Sequence, residues 1–175
     1  MIDPVRELKV RAERLHHAVR DGHIASLVRM RVLPEFRSAH DDELLAAAPH
    51  VRRKHCLATI ARETGFQGWS HALDVLCGRA STTDYGDLLY GPRCAAHLNL
   101  WFARYDQARP VLDQRGGYLL AYRRHVLLVD RDYIVTLGFD PDDPDFRAIG
   151  WDWIRPANRD ARRRLYGKLL AQRAA

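Results

Sequence analysis

The amino-acid sequence predicts a mainly α protein of the α+β kind: an N-terminal helical bundle packed on a C-terminal helical portion that carries a small β element. Three observations predict it. The first half of the chain repeats apolar stripes of helical period, cut at short intervals by Pro and Gly. Only "YLLAYRRHVLLVD" at 118–130 is dense in β-forming residues. A hydrophobic content of 47% over 175 residues, with four Trp, seven Tyr and five Phe, supplies a packed interior.

The elements follow in order. Asp3-Pro4 opens the first helix as a capping residue followed by Pro at the first position. Val5, Leu8, Val10, Leu15 and Val19 form its stripe, and Asp21-Gly22 closes it. Residues 23–33 make a second helix stopped by Pro34. "SAHDDELLAAAP" starts a third after an acidic first turn and ends it at Pro49. Residues 51–64 form a fourth, with Gly65 as its stop, and 68–77 a fifth. "GRASTTDYGD" is small, polar and turn-forming. The reading is therefore a bundle subdomain over 1–80, a linker over 81–87 and an α+β subdomain over 88–175.

In the second part, 91–105 reads as a helix with Pro92 in its first turn, and "DQARPVLDQRGG" as a short helix ended by Gly116-Gly117. Arg123-Arg124 marks either a tight turn between two strands or a kink in one. "RDYIVTLG" returns to helix, "FDPDDPDF" is a capped loop, and "IGWDWIRP" is extended or a turn. Residues 157–173 form a last helix with Leu165, Leu169 and Leu170 inward. Its Arg159, Arg162, Arg163 and Arg164 spread around it as a solvated face.

The net charge of +6 divides evenly, +3 in residues 1–80 and +3 in 81–175, so no basic tail or domain stands ready for a polyanion. Lys9, Lys54 and Lys168 are the only lysines, and this arginine bias with abundant Ala points to a GC-rich bacterial genome. Cys56, Cys77 and Cys94 are odd in number and form no CxxC. With no signal peptide and no apolar run near the length of a membrane span, a reducing cytoplasm is expected, with the cysteines as small buried hydrophobes. No membrane partner is expected.

"ATIARETGFQGWSHAL" at 58–73 places Ala61, Gly65, Phe66, Ser70 and His71 as in the second helix-turn-helix of AraC-type regulators, which the stretch weakly resembles. That family's two aromatics and its Arg are replaced by Ala72, Leu76 and Asp74. A reading helix here would offer DNA Gln67, Ser70, His71 and Asp74, with no cation. Arg52, Arg53 and Lys54, on the preceding helix, reach only backbone phosphates, so nucleic-acid binding by a hairpin over 51–77 is the disfavoured alternative. Residues 52–76 more closely resemble a helical segment of bacterial ankyrin-repeat and related proteins, through Ile60, Ala61, Arg62, Glu63, Gly65, Phe66, Trp69 and Leu73. That resemblance implies a helical hairpin and a bacterial origin, with no chemistry attached. "YGPRCAAHLNLWFARYD", "GGYLLAYRRH", "LGFDPDDPDF" and "IGWDWIRP" make residues 90–175 resemble an uncharacterised bacterial protein family, which implies no activity.

Metal chemistry finds little support. His16 and His17 are adjacent and point about 100° apart on a helix. Cys94-x-x-His97 supplies two ligands, short of a zinc site. Four carboxylates in "DPDDPD" lack the central Gly and terminal Glu of a calcium loop, and Asp142 or Asp143 as a helix cap is simpler. No phosphate loop, G-x-S-x-G or H-E-x-x-H occurs, and neither metal nor cofactor is expected.

The remaining polar and aromatic material gives the candidate ligand-binding set Arg93, His97, Tyr122, Arg124, His125, Trp151 and Asp152. Arg124 and Asp152 suit an anionic or amide ligand between aromatic walls. The plainer alternative pairs Asp152 with an arginine and puts the tryptophans in the core. No catalytic residue is assigned. The leading expectation is a non-enzymatic protein-binding or adaptor module with an exposed apolar patch and no cleft of convergent polar groups. An enzyme built on His97, Arg124, His125 and Asp152 is the other alternative, and it needs those side chains to converge.

Overall fold

A computed structural model describes residues 2–79 and 82–173. Met1, Ala80, Ser81, Ala174 and Ala175, at the expected boundaries, lie outside the described residues. The chain divides into two compact units, Val5–Leu73 and Met1–Pro4 with Asp74–Ala175. Helices dominate, with one small antiparallel sheet, as the sequence predicts.

The Val5–Leu73 unit is all helical. Helix α1 (Pro4–Arg20) buries Leu8, Ala12, Leu15 and Val19, a stripe of helical spacing. Helix α2 (Ile24–Arg29) is shorter than expected: the chain tightens into a 3₁₀ turn at Met30–Val32, and Leu33 is extended because Pro34 follows it. Helix α3 (Asp41–Ala47) starts where the His40 amide donates to Glu43 Oε2 at 2.7 Å.

Helix α4 (Arg53–Glu63) buries Cys56, Thr59, Ile60 and Ala61. Burial pushes the Cys56 thiol up to about 11, so this cysteine is an inert core residue. Arg29 Nε and Nη2 donate to Glu63 at 2.9 and 2.6 Å. At the end of α4, Gly65 N–H reaches Arg62 O and Phe66 N–H reaches Ala61 O, at 3.0 and 2.9 Å. This paired closure needs a left-handed residue, and Gly65 takes φ +96°. Helix α5 (Trp69–Cys77) follows, with Phe66 buried and Trp69 half-buried before the unit boundary inside the helix. Cys77, expected to be buried, is exposed.

The sheet lies in the second unit. Strand β1 (Leu100–Phe102) corrects the expected helix over 91–105. Only Pro92–Ala96 coils, as a 3₁₀ turn, and the following residues pair with a strand that lies far along the chain. Tertiary pairing overrides a local helical pattern there. Helix α6 (Tyr105–Arg115) then leads to strands β2 (Tyr118–Tyr122) and β3 (His125–Val129). Arg123-Arg124 is the tight turn between them, with Arg123 at φ +51°. Strand order is β1-β3-β2, in register Leu100↔Leu128 and Leu119↔Leu128. Ala108 and Leu112 of α6 cluster with Leu119, Val126 and Leu128 of the sheet.

Helix α7 (Arg131–Leu137) is capped by Asp130, which accepts from Tyr133 N–H, and α8 (Pro144–Ala148) by Asp143. Helix α9 (Arg159–Gln172) is capped by Asn158 and buries Leu165, Leu169 and Leu170. Arg159 and Arg163 are exposed as expected, while Arg162 and Arg164 correct the solvated-face expectation. Arg162 is buried, Arg163 pairs with Asp3, and Arg164 pairs with Asp145 at 2.5 Å. Burial alone would raise the Asp145 carboxyl, yet hydrogen bonds from Arg164 and Lys168 hold it below the usual range. Among the described residues no helix is long and apolar enough to cross a membrane.

Trp153 is fully buried and its ring meets Phe139, Phe146 and Tyr166, the last edge-on at 5.0 Å. Trp153→Ala is expected to cost about 3–5 kcal/mol in guanidinium unfolding followed by circular dichroism.

Candidate functional site

The site is built around "WDWIRP" at 151–156. Trp151 takes φ +54°, a conformation a bulky side chain resists. Two bonds hold it there: its N–H donates to Phe146 O at 2.9 Å, and its carbonyl accepts from Leu119 N–H at 2.8 Å. With Trp153 N–H on Leu119 O at 2.9 Å, the segment forms a parallel bridge along β2.

Asp152, at the centre of that bridge, is 1% exposed. Its Oδ1 accepts from the backbone N–H of Ile154 and Arg155 at 3.0 and 2.8 Å, an Asx turn that reverses the chain. Its Oδ2 accepts from Tyr105 Oη at 2.5 Å and from Arg109 Nη1 at 3.4 Å. Burial, then the hydrogen bond to Asp152, push the Tyr105 phenol up to about 12. The Arg155 guanidinium lies 4.2 Å from the centre of the Tyr105 ring.

Tyr105 and Arg155 form one wall of a pocket of about 390 Å³. Val75, Tyr85, Ile154 and Pro156 add apolar surface, and Thr82 a hydroxyl. Tyr85 is anchored by its N–H on Arg123 O at 2.9 Å, and burial raises its phenol. Arg79, Arg159 and Arg162 complete the lining. Arg79 is neutralised by Asp74 at 2.6 Å.

Arg162 is 6% exposed, and its Nη1 donates to Trp153 O at 2.9 Å. Its Nη2 lies against Gly78, at φ +66°, where a Cβ would come within 2.2 Å of that nitrogen. A residue with a side chain there would be strained and would displace the guanidinium. Among the described residues no carboxylate comes within ion-pairing distance of Arg155, Arg159 or Arg162. The N-terminus of α9 adds its partial positive charge beside them. Among the described residues the lining contains no Asp, Glu, His, Cys or Lys.

The residues expected from the sequence fall elsewhere, except that Asp152 stands behind the pocket wall, hydrogen-bonded to Tyr105 and paired with Arg109. Trp151 is exposed beside it. Tyr122 and His125 are brought together around Trp101, with ring centroids 5.7 and 6.2 Å from it, and Tyr90 lies 4.7 Å from Tyr122. His97 bonds Thr136 Oγ1 at 2.9 Å, and Arg93 and Arg124 are exposed. No hydrogen bond, ion pair or ring contact among the described residues joins His97, Arg124, His125 and Asp152 to one another. Arg52, Arg53 and Lys54 are exposed at the start of α4, with Arg53 4.0 Å from Glu13. Among the described residues no three His, Cys, Asp or Glu side chains cluster as a metal site.

Sequence reasoning missed Tyr85, Tyr105, Arg155 and Arg162. One signal was present: Arg159 and Arg162 are three residues apart at the start of the last helix, a spacing that sets two side chains side by side. Comparison with protein-family models, curated proteins and solved structures finds no match to this chain.

Tyr105 has a folded pKa above its free value, so it stabilises the fold below about pH 10 and loses that contribution as pH rises toward about 12. Asp152→Asn is expected to move the Tyr105 transition downward in an ultraviolet phenolate titration. An unchanged transition would show that Asp152 does not hold that phenol.

Proposed function

We propose that this protein is a non-enzymatic binding module that holds a small anionic ligand in the arginine-lined pocket between Tyr105 and α9. The carrying observation is Arg162, a buried guanidinium with a carbonyl partner and no carboxylate. Taking such a charge out of water costs several kcal/mol unless an opposite charge compensates it. A bound anion offers that compensation to Arg162, and to Arg155 and Arg159 beside it, through charge-assisted and bidentate hydrogen bonds.

Binding is favoured over catalysis by what lines the site. Guanidinium groups do not release protons in proteins, and the two tyrosines have raised pKa values. No lining group is poised to move a proton near neutral pH, nor is a nucleophile paired with a base.

A second reading, docking of a protein partner, draws on β1. No strand covers its outer side among the described residues, Leu98 is fully exposed, and Trp101 is 46% exposed. An uncovered edge without Lys or Pro is a template for pairing, and a second copy of β1 across a two-fold axis supplies a matching strand. Wild type should then show a concentration-dependent dimer in sedimentation equilibrium that Trp101→Lys abolishes. A monomer at every concentration ends that reading.

For the anion reading, titration calorimetry at low salt should give saturable binding of inorganic phosphate. Arg159→Ala, at an exposed residue with no ion-pair partner among the described residues, should weaken it about tenfold, as expected for one charge-assisted hydrogen bond. Absence of saturable phosphate binding overturns the proposal.

A further inference from the structure

We infer that the ligand is a phosphate monoester of a planar, largely apolar group, of the size class of an aryl phosphate or a nucleoside monophosphate. This rests on the anion reading and adds the identity of the ligand's two ends.

The anionic end follows from charge. Three guanidinium groups, on Arg155, Arg159 and Arg162, face the pocket uncompensated by any carboxylate among the described residues. A single carboxylate would leave most of that charge unmatched, whereas a phosphate monoester brings a charge near −2 and three acceptor oxygens at neutral pH. Arg159 and Arg162 are three residues apart, so they sit side by side on the first turns of α9. Asp160, on the same turn, lines a separate recess with Arg163 and Arg164, so it does not cancel them.

The other end follows from volume and walls. At about 390 Å³ the pocket falls in the range of about 300–1,000 Å³ used for drug-sized ligands, and a bare tetrahedral anion would leave most of it to water. Its apolar and aromatic surface comes from Val75, Tyr85, Tyr105, Ile154 and Pro156. The Arg155 guanidinium already stacks on Tyr105, so a planar group meets flat cationic and aromatic surfaces. Among the described residues the lining has no carboxylate to pair an ammonium group, and amino acids and polyamines are disfavoured.

The test is a ligand series on the wild-type protein by titration calorimetry: inorganic phosphate, phenyl phosphate, adenosine monophosphate, adenosine and succinate. At least one of the two monoesters should bind tenfold or more tighter than inorganic phosphate, and succinate more weakly than that monoester. Tyr85→Ala should weaken the monoester about tenfold more than it weakens inorganic phosphate. Equal affinities for phosphate and both monoesters would overturn this inference and leave the anion reading standing. Tighter binding of succinate would overturn the phosphate assignment. No saturable binding by any of the five would overturn both.

Discussion

The Asp152 carboxylate holds together the pieces on which the rest of the second unit depends. A carboxylate removed from water is costly unless its lone pairs are filled. Here they are, by the amides of Ile154 and Arg155, the Tyr105 hydroxyl and the Arg109 guanidinium. These donors come from α6 and from the segment that runs along β2, so one side chain ties elements nearly fifty positions apart in sequence. The Arg109 contact is the weakest of the four, at 3.4 Å and with its side chain 40% exposed, where solvent screens an ion pair to about 0–1 kcal/mol. The amide and hydroxyl bonds are shorter and more sheltered, and they do most of the positioning.

With its acceptor sites filled, Asp152 has nothing left for the neighbouring arginines. Arg155 uses its backbone on Asp152 and lays its guanidinium on Tyr105. Arg162 reaches the Trp153 carbonyl, abuts the Gly78 turn in space, and has no carboxylate partner among the described residues. Trp151 at positive φ costs about 1–3 kcal/mol, yet it aims Asp152 inward and Trp153 into the aromatic core at once. The same strained turn therefore serves both the packing and the wall of the pocket.

Local signals made most of the helices legible. Asp130, Asp143 and Asn158 cap helices as short polar residues do, and Gly65 ends α4 because only a left-handed residue completes that closure. The hairpin at Arg123-Arg124 was visible as two β-rich runs around a polar pair. β1 was not, because "LNLWF" becomes a strand only by pairing with Val126–Leu128. The site was half legible. Asp152 was picked out among the polar residues, and its pairing with an arginine was weighed, but Arg162 was read as solvent-facing and is buried. Burial of Arg162 depends on the missing side chain of Gly78 and on the Trp153 carbonyl, and neither is near it in the helical pattern.

Charge counted over the chain pointed away from this pocket, and the reason is dielectric. Arg52, Arg53 and Lys54 are adjacent in sequence and catch the eye as a basic run, yet all three are exposed. Water and salt screen such charges within about 8 Å, so their field fades a short way from the surface. Arg155 and Arg159 stand apart in sequence, and Arg162 belongs to a second run, Arg162-Arg163-Arg164, whose members part in the fold. Arg155, Arg159 and Arg162 line one pocket, where Arg162 alone of the three is buried and Arg155 and Arg159 are exposed, with the α9 dipole adding the same sign. Arg52 and Arg53 sit at the N-terminus of α4, and Arg159 and Arg162 at that of α9, where cations are unfavourable in isolation. At α4 that strain dissipates into solvent; at α9 the buried Arg162 retains it and an anion would relieve it, which is why Arg162, and not the conspicuous run, carries the functional argument.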